Sequence, residues 1–257
     1  MSLLEFDTLA RKVLLAVELV DPATGQRIYD GIKVAAADAA GGPLPEPILN
    51  ASGRFVWRQP NMVATVTVWP ARLRIEPRHE LPYATREIPL PPPATNPAVA
   101  HDGTSATLPR NRLISVVLWP TAAYPFENVT AVRGVLREAG DGSEPVENAV
   151  VQLATFVSDA WRPIGQGLEP PATALASITD RKGQFGVVLP DPPSPLRSQP
   201  APPALVRVRL QVTRRVGDDV QVRWTSDAVG ELPVAGIPRG RILTPAQPIR
   251  WDRLTDQ

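Results

Sequence analysis

Cysteine is absent from the 257 residues, which removes disulfides, thiolate metal sites and cysteine nucleophiles together. Lysine is scarce. Lys12, Lys33 and Lys182 are the only ones, so nearly all of the 27 basic residues are Arg, a side chain suited to bidentate and stacking contacts. Histidine is confined to His79 and His101. Each is followed directly by an acid and neither has a Glu three residues on, so no zinc peptidase pair of the His-x-x-Glu kind can be assembled. An excess of either charge is lacking too: 27 basic residues stand against 26 acidic ones. No general field draws the chain to nucleic acid or to an anionic membrane. No apolar run approaches the roughly 18 residues of a membrane helix, and the first twelve residues carry their acids before the Arg11-Lys12 pair, the wrong order for a secretory signal. These features predict a soluble chain made in the cytoplasm, with no membrane span. Nucleophile elbows, phosphate-binding glycine loops and dinucleotide fingerprints are missing as well. The expectation is a protein that is not an enzyme and uses no metal or cofactor.

What is present is a repeated turn. Asn50-Ala-Ser-Gly53-Arg-Phe55 and Asp180-Arg-Lys-Gly183-Gln-Phe185 share one spacing: a short polar side chain, Gly three residues later, Phe two beyond that. The Asn or Asp folds onto the backbone ahead of it, Gly accepts positive φ, and Phe opens a core strand. Each copy sits within a series of β-type runs, so the chain is expected to be all-β, two tandem transthyretin-like or immunoglobulin-like sandwiches. The 31 prolines against 17 glycines point to stiff connections and little helix.

The runs fall in order. Val13 to Val20 ends at the turn Asp21-Pro-Ala-Thr-Gly25, and Ile28 to Ala36 follows. Gly53 to Trp57, Met62 to Trp69, Leu73 to Ile75, and Thr85 to Leu90 come next, the last an edge strand because Pro89 cannot donate to a ladder. Pro91 through Thr107 reads as a long loop, and Leu113 to Trp119 closes the series. A new pattern begins at Val132 and continues through Val146 to Leu153, Ala176 to Thr179, and Phe185 to Leu189. A proline-rich loop, Pro190 to Pro203, leads to Val206 to Val212, which alternates strictly, with Val206, Val208, Leu210 and Val212 on one face. Gly217-Asp-Asp219 turns into Val220 to Trp224, and Ile242 to Trp251 is the last extended segment. The domains expected are an N-terminal arm at residues 1–12, a first sandwich at 13–126 and a second at 127–257.

The second half resembles a known family. Val132-Arg-Gly-Val-Leu136, then Pro145-Val-Glu-Asn-Ala-Val-Val-Gln-Leu153, then Thr179-Asp-Arg-Lys-Gly-Gln-Phe-Gly-Val187 is similar to the carboxypeptidase regulatory-like domain, a transthyretin-like β-sandwich. Residues 14–57 resemble the same plan more weakly, with Asn50 in place of the Asp. The resemblance implies an accessory or spacer module without catalysis, in which Asp180 and Gly183 shape a turn and Phe185 plugs the core.

Function then rests on contacts. Leu3, Leu4, Phe6 and Leu9 form a loose apolar stripe, read either as packing on the first domain or as a docking arm. Trp57, Trp69 and Trp119 end strands and fit core or rim positions. Trp161, in the loop Asp159-Ala-Trp-Arg-Pro163 with no alternating pattern around it, either caps a sandwich end or meets a partner. The expected role is a structural or adaptor subunit of a phage tail or phage-tail-like contractile injection particle. Its partners would be other protein subunits, in a homo- or hetero-oligomer. A carbohydrate- or peptide-binding surface module is the alternative, with Trp161 and Trp224 as its stacking residues.

Overall fold

The computed structural model describes residues 13–58, 69–90, 95–99, 105–109, 113–127, 129–139, 142–157, 160–164, 175–189, 205–225 and 236–256. The chain is all-β. Among the described residues the only helical piece is one 3-10 turn, Trp251–Arg253.

The first half contains β1 (Val13–Val20), β2 (Ile32–Ala37), β3 (Ile48–Leu49), β4 (Phe55–Arg58), β5 (Arg72–Pro77), β6 (Arg86–Pro89), β7 (Thr95–Val99), β8 (Ser105–Pro109) and β9 (Leu113–Val117). Two sheets, in the orders β3-β4-β1-β9 and β2-β5-β6, lie face to face, and β7 pairs with β8 in a separate hairpin. Alternating β-branched and leucine residues make this work, because every second side chain points the same way. Val17 and Leu19 of β1 therefore meet Val34 of β2 and Leu73 and Ile75 of β5 in one core. A bulge between Val13 and Leu15 changes the phase of β1, and Leu14 and Leu15 are both buried.

The second half contains β10 (Thr130–Arg137), β11 (Val150–Val157), β12 (Ala160–Pro163), β13 (Ala176–Ile178), β14 (Gln184–Leu189), β15 (Leu205–Val206), β16 (Val208–Val216), β17 (Asp219–Trp224), β18 (Ile237–Pro238), β19 (Ile242–Leu243) and β20 (Ile249–Arg250). One layer runs β14-β10 with β19 and β20 on the far side of β10; the other runs β12-β11-β16-β17, with β13 beside β11. Val132 and Leu136 of β10 and Phe185 of β14 pack against Val151 and Leu153 of β11 and Leu210 and Val212 of β16. Each fully buried side chain of this size contributes about 1.5–3 kcal/mol.

Several sequence expectations need correction. The stretch read as a long loop through Thr107 holds the β7–β8 hairpin, which pairs from Thr95↔Pro109 to Val99↔Ser105. Prolines at 97 and 109 disguise it, and both lie in a two-stranded ribbon where an edge position needs no donor. The run read from Ile28 begins as strand only at Ile32, because Gly31 sits at φ +71° and turns the chain first. Asn148, at φ +59°, delays β11 to Val150 in the same way. Trp161 is not in an irregular loop; it lies in β12, opposite Phe156. The last segment is split into β19, β20 and the 3-10 turn. Residues 62–68 of the expected strand Met62 to Trp69, the arm at 1–12 with Leu3, Leu4, Phe6 and Leu9, the proline-rich loop at 190–203 and His101 lie outside the described residues.

Candidate interaction surface

The two repeated turns close alike. Asn50 Oδ1 accepts from the N–H groups of Ser52 (3.1 Å) and Arg54 (2.9 Å), and Asp180 Oδ1 accepts from those of Lys182 and Gln184 (both 2.8 Å). Gly53 and Gly183 sit at φ +72° and +73°. Phe55 and Phe185 enter the two cores directly behind them. Arg54 of the first turn also reaches Glu18 on β1 at 3.1 Å. The Ser115 hydroxyl, together with Arg54 and Arg27, holds the Glu18 carboxyl below its usual range against the opposing effect of partial burial.

Between the two cores lies a junction that the sequence did not flag. Asp21, only 5% exposed, accepts from the backbone N–H groups of Ala23 (2.9 Å) and Thr24 (2.7 Å), the Thr24 hydroxyl (3.0 Å) and two tyrosine hydroxyls. Tyr83 donates at 2.7 Å and Tyr124 at 2.8 and 2.9 Å. Burial pushes the Asp21 carboxyl up, but these donors outweigh it and the net shift is downward. Both phenols are pushed well above their ordinary value, by burial first and then by the carboxylate they serve. Tyr124 and Phe126 then pack with Ala131 and Val188 of the second half. Gly186 of β14 leaves the space that Phe126 fills: a Cβ there would lie 2.1 Å from the ring. The Ser177 hydroxyl, fully buried, donates to the Pro120 carbonyl at 2.8 Å, and the Thr121 N–H donates to the Pro82 carbonyl at 2.9 Å. The segment from Pro120 to Phe126 is thus held by both halves. Close by, Arg86 lies over the Trp119 ring at 4.0 Å, and burial pushes its guanidinium down to about 10.

Exposed apolar and aromatic side chains gather on the outer face of the sheet formed by β12, β11, β16 and β17. Phe156 and Trp161 meet edge to face at 5.4 Å, with Arg207 5.3 Å from the Phe156 ring and Arg209 4.5 Å from the Trp161 ring. Val220 and Val222 of β17 are exposed on the same face. Trp224 is different: at 4% exposure it is buried and unable to stack on a sugar. Trp57 is a core residue, and Trp69 is half-buried against the same core.

No catalytic arrangement emerges from these residues. Among the described residues no three His, Asp or Glu side chains converge to hold a metal ion. His79 is exposed and faces Glu80 at 3.2 Å. A hollow of about 270 Å³ on the first half is lined by Ala35, Ala37, Arg72, Arg74 and Glu87, with Glu87 the one carboxylate in its lining. No described helix is long and apolar enough to cross a membrane.

No family model matches the chain, and no curated protein matches it in sequence. Among solved structures it is similar to a streptococcal ancillary pilin, at 10% identity over 92% of this chain and 63% of that one, with a TM-score of 0.23. The TIE protein of Bacillus anthracis is 8% identical over 94% of this chain and 34% of its own, with a TM-score of 0.25. The shaft pilin spaA from Lactobacillus rhamnosus GG is 9% identical over 93% and 98%, with a TM-score of 0.24. The chain therefore spans under two thirds of the first two, and at such TM-scores the roles of these proteins do not transfer to it. The all-β assignment rests on the strands themselves.

Proposed function

We propose that this chain is a non-enzymatic structural or adaptor subunit that acts through protein-protein contacts, built as two sandwich domains at residues 13–126 and 127–257 behind an arm at 1–12. The observation that carries this reading is the junction. A connector pinned through Asp21, Tyr83, Tyr124, Phe126 and Ser177 fixes the two sheet pairs relative to one another, and a fixed spacing between surfaces is what an adaptor needs. The exposed apolar residues along the outer strands supply the surfaces.

The setting we propose is a phage tail or phage-tail-like contractile injection particle assembled in the cytoplasm, a reading that suits a cysteine-free chain. Deleting residues 2–12 should leave a folded protein that no longer joins its assembly, read by electron microscopy and mass spectrometry of native particles. Normal incorporation of the truncated chain would remove the role assigned to Leu3, Leu4, Phe6 and Leu9. Absence of the chain from any such particle would end the reading. The Phe156-Trp161 pair flanked by Arg207 and Arg209 favours a second reading, a carbohydrate- or peptide-binding module. Quenching of tryptophan fluorescence by acidic oligosaccharides, lost in Trp161→Ala, is its test.

A further inference from the structure

Exposed strand edges recruit other strands unless something prevents it. Most edges here carry such a device. β6 ends on Pro89, β12 ends on Pro163, and β3 and β18 are two residues long. β17 is neither short nor interrupted: Asp219–Trp224 contains no proline, glycine or lysine, it pairs with β16 without a bulge from Val216↔Asp219 to Gln211↔Trp224, and its two charges, Asp219 and Arg223, are opposite in sign.

Among the described residues the far edge of β17 is closed at one end only. Trp224 exchanges backbone bonds with Thr255 at 2.8 and 2.9 Å. Successive residues of a strand send their N–H and C=O groups to opposite sides. Val222 and Val220, two and four residues before Trp224, therefore direct theirs to the same outer side. No described strand pairs with them there. Their side chains are 40% and 58% exposed, high for valine in a strand.

The open strip Asp219-Val220-Gln221-Val222-Arg223 is complementary to its own reverse. Laid antiparallel against a second copy with Gln221 facing its counterpart, Val220 meets Val222 and Asp219 meets Arg223. The four outward backbone groups of each copy then form four hydrogen bonds with those of the other, and both valine pairs cover one another. At present Arg223 has Asp256 as its carboxylate neighbour, 3.9 Å away with a side chain 89% exposed, a contact that the second copy's Asp219 can replace. Gly217, at φ +62°, and Asp218 form the turn that joins Val216 to Asp219, so the strip that each copy offers begins at Asp219.

We propose that the β17 edge is a two-fold interface through which two copies of this chain pair. The contact is small, so the dimer is weak and concentration-dependent. The inference rests on the contact role proposed above, but it is read on the purified chain, whereas that role is read on native particles; either can fail without the other.

The test is sedimentation of the full-length chain over about a hundredfold range of concentration, which spans about 2.7 kcal/mol of association free energy. Dimer should accumulate toward the top of the range. Val220→Lys places an ammonium opposite Val222 and should weaken dimerisation at least about tenfold with the melting curve unchanged. Asp219→Arg should do the same by facing Arg with Arg, and adding Arg223→Asp to that chain should restore pairing. If the double variant does not fold, the two single variants decide. A wild-type chain that stays monomeric throughout overturns the proposal, as does dimerisation of Val220→Lys or Asp219→Arg at wild-type strength.

Discussion

Alanine at Gly183 and alanine at Gly53 are the same substitution in two copies of one turn, and they should differ sharply in cost. Both glycines hold φ near +70° (+73° and +72°), where a side chain costs about 1–2 kcal/mol on backbone grounds alone. The surroundings then separate them. A Cβ on Gly183 would lie 2.3 Å from the carbonyl oxygen of Leu136, a backbone atom in β10. That oxygen accepts from the Val146 N–H at 3.0 Å, and the Leu136 N–H donates to the Gly183 carbonyl at 2.8 Å. To admit the methyl group the chain must give up or stretch a buried hydrogen bond, adding about 1–3 kcal/mol. The total for Gly183→Ala is then about 2–5 kcal/mol. A Cβ on Gly53 meets the Tyr29 ring at 2.7 Å, but that side chain is 49% exposed and can swing into solvent. Gly53→Ala should therefore cost only the backbone term. Urea denaturation followed by circular dichroism reads both, and thermal melts should fall by about 2–4 °C per kcal/mol. Equal losses, or a larger loss at Gly53, would refute the steric explanation; no loss at either would refute the conformational one.

Tyr124→Phe removes one hydroxyl from the Asp21 carboxylate and should cost about 1.5–3 kcal/mol, measured in the same way. The acid limb of stability follows from Asp21, whose folded pKa is depressed: its contribution is present above the ordinary aspartate value of 3.8 and is lost as pH falls through the lower folded value. Tyr83 and Tyr124 set the alkaline limb with the opposite sign, because their folded pKa values are raised. Their contribution is full below pH 10 and is lost as pH rises beyond it, so melting temperature should decline at both extremes and the Tyr124→Phe variant should show a weaker alkaline decline. Phe126→Ala empties the seat over Gly186 and should cost about 3–5 kcal/mol, splitting one unfolding transition into two; a single unchanged transition by calorimetry would show that the halves are not coupled there. Treatment with a chelator should leave melting unchanged, and a lower melting temperature would reveal a metal.

The features legible in sequence are those whose physics is local. Asn50, Gly53 and Phe55, like Asp180, Gly183 and Phe185, can be read because each polar side chain bonds backbone only two and four residues ahead. Val208, Leu210 and Val212 can be read because a strand buries alternate residues whatever lies opposite. Trp161 is misplaced by sequence because β12 has no alternation of its own; its strand character comes from β11 beside it. The β7–β8 hairpin is hidden by prolines that a helix or central strand would reject but a ribbon accepts. Asp21 looks like an ordinary turn residue, since its tyrosine partners lie at positions 83 and 124 and no local pattern announces them. Val220 and Val222 are visible as strand residues, but which edge they occupy is a property of sheet order alone.

In each half the opening strand runs parallel to closing ones: β1 beside β9, from Ala16↔Leu113 to Val20↔Val117, and β10 beside β19 and β20. This arrangement governs how the molecule carries tension. Pulling Val13 away from Val117 slides β1 and β9 along each other, so their hydrogen bonds are loaded in shear and must yield together. A hairpin such as β16–β17, pulled at its open end, would instead unfasten bond after bond like a zip. Each half is thus closed by the geometry that best resists being drawn out lengthwise, and a force travelling along the chain meets two such clasps in series with the Asp21 junction between them.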